Sequence, residues 1–284
     1  MKIKPAQRQI RLAICSNAGG SGKTTLATHL AYALGKRGYK VTLIELDHNG
    51  SLCIFGGLPP VPPEKSLAAV LKKDFQGNYP LTPLWTEHVS TVTAIQGGGA
   101  LEESYAELYA YERRHYTLQD RLEDYPLDSD LIIMDTPASL EPMGLLALAA
   151  CTHVLAPIKP EWKDSGSLAS LVDWYYTKVR ELRLKPRPQI LGFVPSRVDL
   201  REGTHRDILG LDKKGNQRQD IELEQTLSYQ IQALDIYCFP QIRESSYYLR
   251  ASGAGLPLHV YRPSCPFAQD FEPIVKQTIE LITA

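Results

Sequence analysis

The sequence has no C-x-x-C pair, no apolar run of membrane-spanning length, no internal repeat and almost no net charge. Each absence excludes a class. Cys15, Cys53, Cys151, Cys238 and Cys265 are odd in number and widely spaced. This argues against a disulfide framework and a zinc site and points to a reducing, cytoplasmic compartment. A membrane span needs about 20 consecutive apolar residues, and no stretch approaches that. Lys2, Lys4 and Arg8 precede an apolar run that Arg11 and then glycines break, so the N-terminus does not read as a signal peptide. Lys and Arg number 31 against 32 Asp and Glu, a net charge of −1. No whole-molecule field draws such a chain to nucleic acid, so any polyanion site is a local patch.

What is present is core material. With 284 residues, 43% of them hydrophobic, the chain can bury a large core, and residues 1–284 are expected to form a single domain. Short Ile/Val/Leu-rich runs recur at Ile10 to Cys15, Val41 to Glu45, Leu131 to Met134, Val154 to Ile158, Ile190 to Val194 and Ile236 to Phe239, with helix-length stretches between them. Their continuous rather than alternating apolar character predicts strands buried on both faces, hence a doubly wound, mostly parallel α/β sheet in three layers. A helix is expected from Lys23 to Arg37, with Leu26, Leu30, Ala33 and Leu34 on one face and Gly38 stopping it. The Pro-rich stretch from Gly56 to Glu87 reads as an elaborated loop with a short helix near Ser66 to Lys73. Phe271, Ile274, Val275, Ile279 and Ile282 recur at helical spacing with Lys276 as the only base. The C-terminal segment therefore reads as a core-packing helix rather than a membrane-surface one.

The decisive feature is Ser16-Asn17-Ala18-Gly19-Gly20-Ser21-Gly22-Lys23-Thr24-Thr25, which follows the first strand and opens the clearest helix. Glycines let backbone N–H groups curl around phosphate oxygens, and the helix N-terminus adds its positive dipole end. A lysine reaches the β and γ phosphates, and a hydroxyl ligates magnesium. Gly19, Gly20, Ser21, Gly22, Lys23, Thr24 and Thr25 are the expected nucleotide contacts, with Thr24 on the metal. The bland alternative is a glycine-rich turn between a strand and a helix.

Asn17 stands where an ordinary phosphate loop has its first glycine, and the loop resembles the deviant Walker A of the ParA/MinD ATPases. The segment Leu43 to Gly50 is similar to the family's D-x-D-P-Q-G motif, with Asp47 matching the aspartate that orients the attacking water. Leu131 to Pro137 resembles the Walker B segment, with Asp135 as its carboxylate on the magnesium side. Without such a loop upstream, an Asp at a strand end is more often a turn or cap residue. Asp199 and Pro257 fall in segments similar to the family's adenine-side loops.

Most relatives read K-G-G-x-G-K-[ST], but Ala18 holds the first lysine's place and removes a cation from the γ-phosphate. The lysine-less loop is most like the McdA, carboxysome-positioning branch. Lys159, or Lys163 nearby, lies on the segment resembling the partner-facing loop and is the expected substitute. Both also read as ordinary solvated charges. The resemblance implies ATP and magnesium as cofactors, a nucleotide-sandwich homodimer, nonspecific double-stranded DNA as ligand, an adaptor of McdB or ParB type, nucleoid association and no membrane partner.

Nonspecific DNA binding needs several bases on one face. Arg243, Arg250 and Arg262, with Lys213 and Lys214 upstream, are the candidates, although Glu244, Asp235 and Asp270 dilute the patch. Four other readings compete. A membrane-cycling MinD-like ATPase would need a basic amphipathic terminal helix, and an iron-protein-like donor a cysteine soon after the Walker B segment. A plasmid or chromosome partition ATPase of the same family stays close, and a P-loop metabolite kinase or synthetase would show a substrate pocket instead of a response to DNA.

Overall fold

The computed structural model describes residues 9–219 and 222–284, with the side chains of residues 162–167 and 223 outside the description. In chain order the first half holds β1 (Ile10–Ile14), α1 (Lys23–Gly35), β2 (Val41–Glu45), α2 (Ser51–Gly56), α3 (Leu67–Leu71), β3 (Thr82–Pro83), β4 (Val92–Ile95), α4 (Ala100–Tyr109), α5 (Thr117–Asp124) and β5 (Leu131–Asp135). The second half holds α6 (Met143–Ala150), β6 (His153–Ile158), α7 (Trp162–Glu181), β7 (Gln189–Pro195), α8 (Gly203–Leu209), α9 (Leu227–Ala233), α10 (Ser246–Gly253), α11 (Leu258–Tyr261) and α12 (Glu272–Thr283).

The strands form one sheet in the order β3-β4-β2-β5-β1-β6-β7. Every pairing is parallel except β3 with β4. Alternate residues of each strand feed different layers. Leu12, Ile14, Leu43 and Ile133 pack with α1 and α12, whereas Ala13, Ile44 and Ile132 pack with α3 to α7. This double coverage is why the strands read as unbroken apolar runs.

Three expectations need correction. The run from Ile236 to Phe239 is no strand of the sheet and makes one isolated bridge, Cys238 to Phe193. Its apolar residues pack instead: Ile236 joins the core beneath α8 and α9, and Phe239 joins the one beneath α1. In its place β4 pairs with β2, inside the stretch read as irregular or left unassigned. The expected one-sided α1 is buried on nearly every side, because α2, α11 and α12 close over it.

Backbones approach most closely where Gly255 meets Gly57. A Cβ at Gly255, where φ is +68, would sit 2.4 Å from the Gly57 Cα, and the Gly255 carbonyl accepts from the Trp85 indole at 2.9 Å. Gly255→Ala is therefore expected to cost at least about 2 kcal/mol through strain and clash. Gly253→Ala, whose Cβ meets nothing within 4 Å, should leave the melting temperature nearly unchanged; equal melting of the two variants by circular dichroism would contradict the packing argument.

Candidate nucleotide site

The loop between β1 and α1 turns through two left-handed glycines, Gly20 (φ +69) and Gly22 (φ +88). Gly22 caps α1, and its carbonyl accepts from Leu26 N at 2.9 Å. No acidic residue occupies the first turn of α1, so its positive dipole end is free to meet an anion. Lys23, only 8% exposed, directs Nζ back into the loop, 3.3 Å from the Ala18 carbonyl and 3.5 Å from that of Ser16. Burial pulls its pKa down, and Asp135 opposes that as its main counter-charge.

Asp135 ends β5, and its Oδ2 accepts from the Thr24 hydroxyl at 2.7 Å, while its buried Oδ1 has no partner. Burial raises this carboxyl to about 7. An orphaned oxygen on a buried carboxylate beside a threonine hydroxyl suits a divalent cation that completes its shell with water and phosphate. Thr24 and Asp135 are thus the residues that could hold magnesium.

Across the β2–β5 pairing, Glu45 lies in register with Asp135. Glu45 is fully buried, raised to about 7 by that burial, and accepts from Leu52 N at 2.7 Å and Gly97 N at 2.9 Å. It ties the loop carrying Asp47 to the end of β4. Asp47 itself accepts from the Asn49 backbone and side-chain nitrogens at 2.9 and 2.8 Å. In this state it caps its own turn, two residues beyond the strand that brings Glu45 to the site.

Beside the loop stands Arg197, in a left-handed conformation (φ +54) two residues past the end of β7. Its guanidinium donates to the Gly20 carbonyl at 3.0 Å and to Glu244 at 2.8 Å. Ser196 donates to the Ser21 carbonyl, and the buried Ser21 hydroxyl is unpartnered. Residues 196–197 thus brace the phosphate loop from the β7 side.

Residues 9–185 match the AAA domain family model. Over 192 residues the chain is 30% identical to the chromosome-partitioning ATPase Soj of Thermus thermophilus, covering 66% of this chain and 70% of Soj. The chain belongs to the ParA/MinD-type family of P-loop ATPases. Its fold is that of the McdA protein of Cyanothece in complex with ATP: TM-score 0.78 at 23% identity, covering 96% of this chain and 97% of that one. A cobyrinic acid a,c-diamide synthase of Mycobacterium smegmatis, solved with an ATP analogue and magnesium, aligns with TM-score 0.62 at 26% identity over 70% of this chain and 77% of its own.

Other candidates fall in several places. Gly19 is exposed at the loop's tip, and the Thr25 carbonyl accepts from His29 Nδ1 at 2.7 Å. Pro257 caps α11. Asp199 is clasped by Arg201, whose guanidinium holds its pKa down at about 2. Lys159 pairs with Glu161, and the Lys163 side chain lies outside the described residues. Arg250 and Arg262 converge on the Tyr247 ring, at 5.8 and 4.2 Å. Arg243 instead binds Asp270 at 2.6 Å and stacks on Phe267. Lys213 lines the same cleft as Arg243, and Lys214 is exposed on the neighbouring turn. Glu45 and Arg197 carry no assigned role in the sequence reading. The only available signal for Glu45 was an acid where the D-x-D motif begins; for Arg197 it was a base beside a proline-ended strand.

His29 joins α1 to the adenine-side segment. Its Nδ1 donates to the Thr25 carbonyl, and its Nε2 accepts from Leu258 N at 3.0 Å. Complete burial, with His259 beside it, pushes its pKa down to about 3. Since an unfolded histidine titrates near 6.5, the unfolded state takes up a proton that the folded state refuses. His29 therefore contributes stability in full above about pH 6.5, and the contribution falls as the pH drops toward 3. A His29→Gln variant should lose that acid slope in chemical denaturation; an unchanged difference in stability between the two proteins from pH 7.5 to 5 would contradict it.

Proposed function

We propose that this chain is an ATP hydrolase whose ATP-bound form dimerises, binds duplex DNA without sequence preference on the nucleoid, and positions a cargo until an adaptor stimulates its release. The observation that carries the catalytic part is the buried Thr24–Asp135 contact with its unpartnered Oδ1, beside Lys23 and the glycine turns. Lys23 leaves two loop carbonyls and donates to the β and γ phosphates. Thr24 and Asp135 hold the magnesium ion, which when bound neutralises phosphate charge. Asp47 leaves its Asn49 contacts and orients water for attack on the γ-phosphate, accepting its proton. Two subunits closing around two nucleotides would compose a basic face from both copies, with Arg250 and Arg262 at its centre.

Carboxysomes and an McdB-type adaptor follow from the lysine-less loop. A partition complex with a ParB-type adaptor is the close alternative, supported by the likeness to Soj. The cytoplasm is the expected compartment, and no helix among the described residues is long and apolar enough to cross a membrane.

The missing cation is tested at Lys159, which must exchange Glu161 for phosphate. Lys159→Ala is expected to slow ATP turnover about 10-fold or more while sparing ATP binding; an unchanged rate moves the role to Lys163 or to no lysine.

The deciding measurement is binding to random-sequence duplex with ATP, with ADP and without nucleotide at two salt concentrations. Salt-sensitive binding that is strongest with ATP is the expected result. Absence of binding in every state would favour an ATP-dependent metabolite synthase, a reading that the 26% identity to the diamide synthase supports.

A further inference from the structure

At the end of α7 and in the turn into β7, Arg180, Arg183, Lys185 and Arg187 follow one another within eight residues. All four are exposed, and among the described residues no side-chain hydrogen bond or ion pair engages any of them. The one acid of the stretch, Glu181, is occupied by Lys178 at 3.1 Å. With the half-exposed Tyr176, these four cations line a shallow cleft of about 460 Å³ in which no carboxylate takes part. It adjoins a second cleft of about 620 Å³, which shares Arg183 and Lys185 and adds Arg11, with Glu123 as the acid of its lining; Arg113 on the same wall is paired with Asp120 at 3.1 Å.

Arg183 occupies the second position past the helix, with φ +52. Glycine is the usual residue there, because a Cβ in the left-handed region costs about 1 kcal/mol. The helix therefore ends on a strained cation where an unstrained glycine would serve. The cluster precedes β7 and, through Arg11, borders the start of β1. The strands are parallel and the phosphate loop leaves the C-terminal end of β1, so the cluster sits at the opposite edge of the sheet from the nucleotide.

We propose that this surface is a second contact for duplex DNA, taking backbone phosphates on Arg183, Lys185 and Arg187. The inference rests on the DNA-binding reading above and adds to it a surface separate from Arg250 and Arg262. Charge complementarity argues for a phosphate backbone, since unpaired arginines clamp phosphate oxygens in bidentate fashion and displace counterions. Membrane docking would need an apolar wedge beside the charges, and the cleft offers only one partly exposed tyrosine. Remoteness from the phosphate loop makes the contact independent of nucleotide: a weak tether that persists when the ATP-dependent face lets go.

The test uses the full chain and a random-sequence duplex, followed by fluorescence anisotropy across a salt series with ATP, with ADP and without nucleotide. The triple variant Arg183→Gln, Lys185→Gln, Arg187→Gln is expected to weaken binding by the same factor in all three states. It should lower the slope of log affinity against log salt by about 2 to 3, with ATP affinity unchanged. The variant Arg250→Gln, Arg262→Gln should lose mainly the ATP-dependent part. If the wild type binds DNA and the triple variant matches it in affinity and slope, this inference is overturned while the DNA-binding reading stands. If the wild type binds DNA in no state, both fall together. Unchanged DNA binding with loss of binding to phosphatidylserine–phosphatidylcholine vesicles would assign the surface to a membrane and overturn the proposal.

Discussion

Lys23→Ala is expected to weaken ATP binding by about 100-fold to 10,000-fold. The lysine is almost entirely buried, and among the described residues its ammonium makes two long hydrogen bonds, both to carbonyls of its own loop, so it is poorly satisfied without an anion. Charge-assisted hydrogen bonds are worth about 1.5 to 3 kcal/mol each, and two of them to phosphate oxygens amount to about 3 to 6 kcal/mol, the stated range in affinity. Alanine removes both and leaves Asp135 without its main counter-charge, while the glycine turns that shape the loop stay in place. The variant should therefore fold and fail to bind. Titration with a fluorescent ATP analogue reads the effect, and wild-type affinity in the variant would sink the phosphate-loop assignment itself.

The same loop shows how far the sequence is legible. Glycine spacing, a lysine and two threonines between a strand and a helix specify a function because each residue type has one task there, and local spacing fixes their geometry. Asp135 was equally visible, since it ends a five-residue strand whose other four residues, Leu131 to Met134, are an unbroken apolar run. What escaped depends on pairing between distant segments. Glu45 gains its place only when β2 lies against β5 and the loop after β4 folds onto it. Arg197 reaches Gly20 only because β7 closes that side of the sheet, 177 positions away in sequence. Ile236 to Phe239 has the composition of a strand, yet the sheet ends at β7 and the segment spends its apolar residues on helix packing. The basic stretch from Arg180 to Arg187 was readable as a charge run. Its meaning appears only with the exposure of all four cations and the capture of Glu181 by Lys178.

Arg243 carries a related lesson. Composition ranks it with Arg250 and Arg262, but its bidentate contact to Asp270 and its stacking on Phe267 commit it to holding the start of α10 near the C-terminal segment. Its neighbour Glu244 binds Arg197, which binds the Gly20 carbonyl. Polar contacts therefore join the phosphate loop to Glu244, two residues before the helix that presents Arg250. This is a physical route by which phosphate occupancy could be felt at the basic face. It acts only if Arg197 exchanges partners when nucleotide binds.

Asp47→Ala is expected to cut ATP hydrolysis by about 100-fold to 10,000-fold while preserving nucleotide affinity, the range that removal of a positioned proton acceptor produces. Among the described residues no hydrogen bond or ion pair links the Asp47 side chain to Lys23 or Thr24. Its carboxylate, among those residues, accepts hydrogen bonds from Asn49 alone, and its backbone carbonyl, which holds Gly50 N and Gly98 N, is kept by alanine, so the nucleotide cradle survives the change. Glu45 keeps the loop in register independently through Leu52 and Gly97, so the change removes a carboxylate without releasing the segment. ATP would then remain uncleaved, and the ATP-bound dimer should accumulate on DNA, with slow dissociation measurable by light scattering and DNA retention. The two lysine and aspartate variants separate the steps: Lys23→Ala stops the cycle before ATP binds, Asp47→Ala after. An Asp47→Ala protein that turns over ATP at the wild-type rate would remove Asp47 from catalysis and shift attention to Glu45. That group is already raised to about 7 by burial and faces Asp135 across the strand pair, which would make it the next carboxyl to replace with an amide.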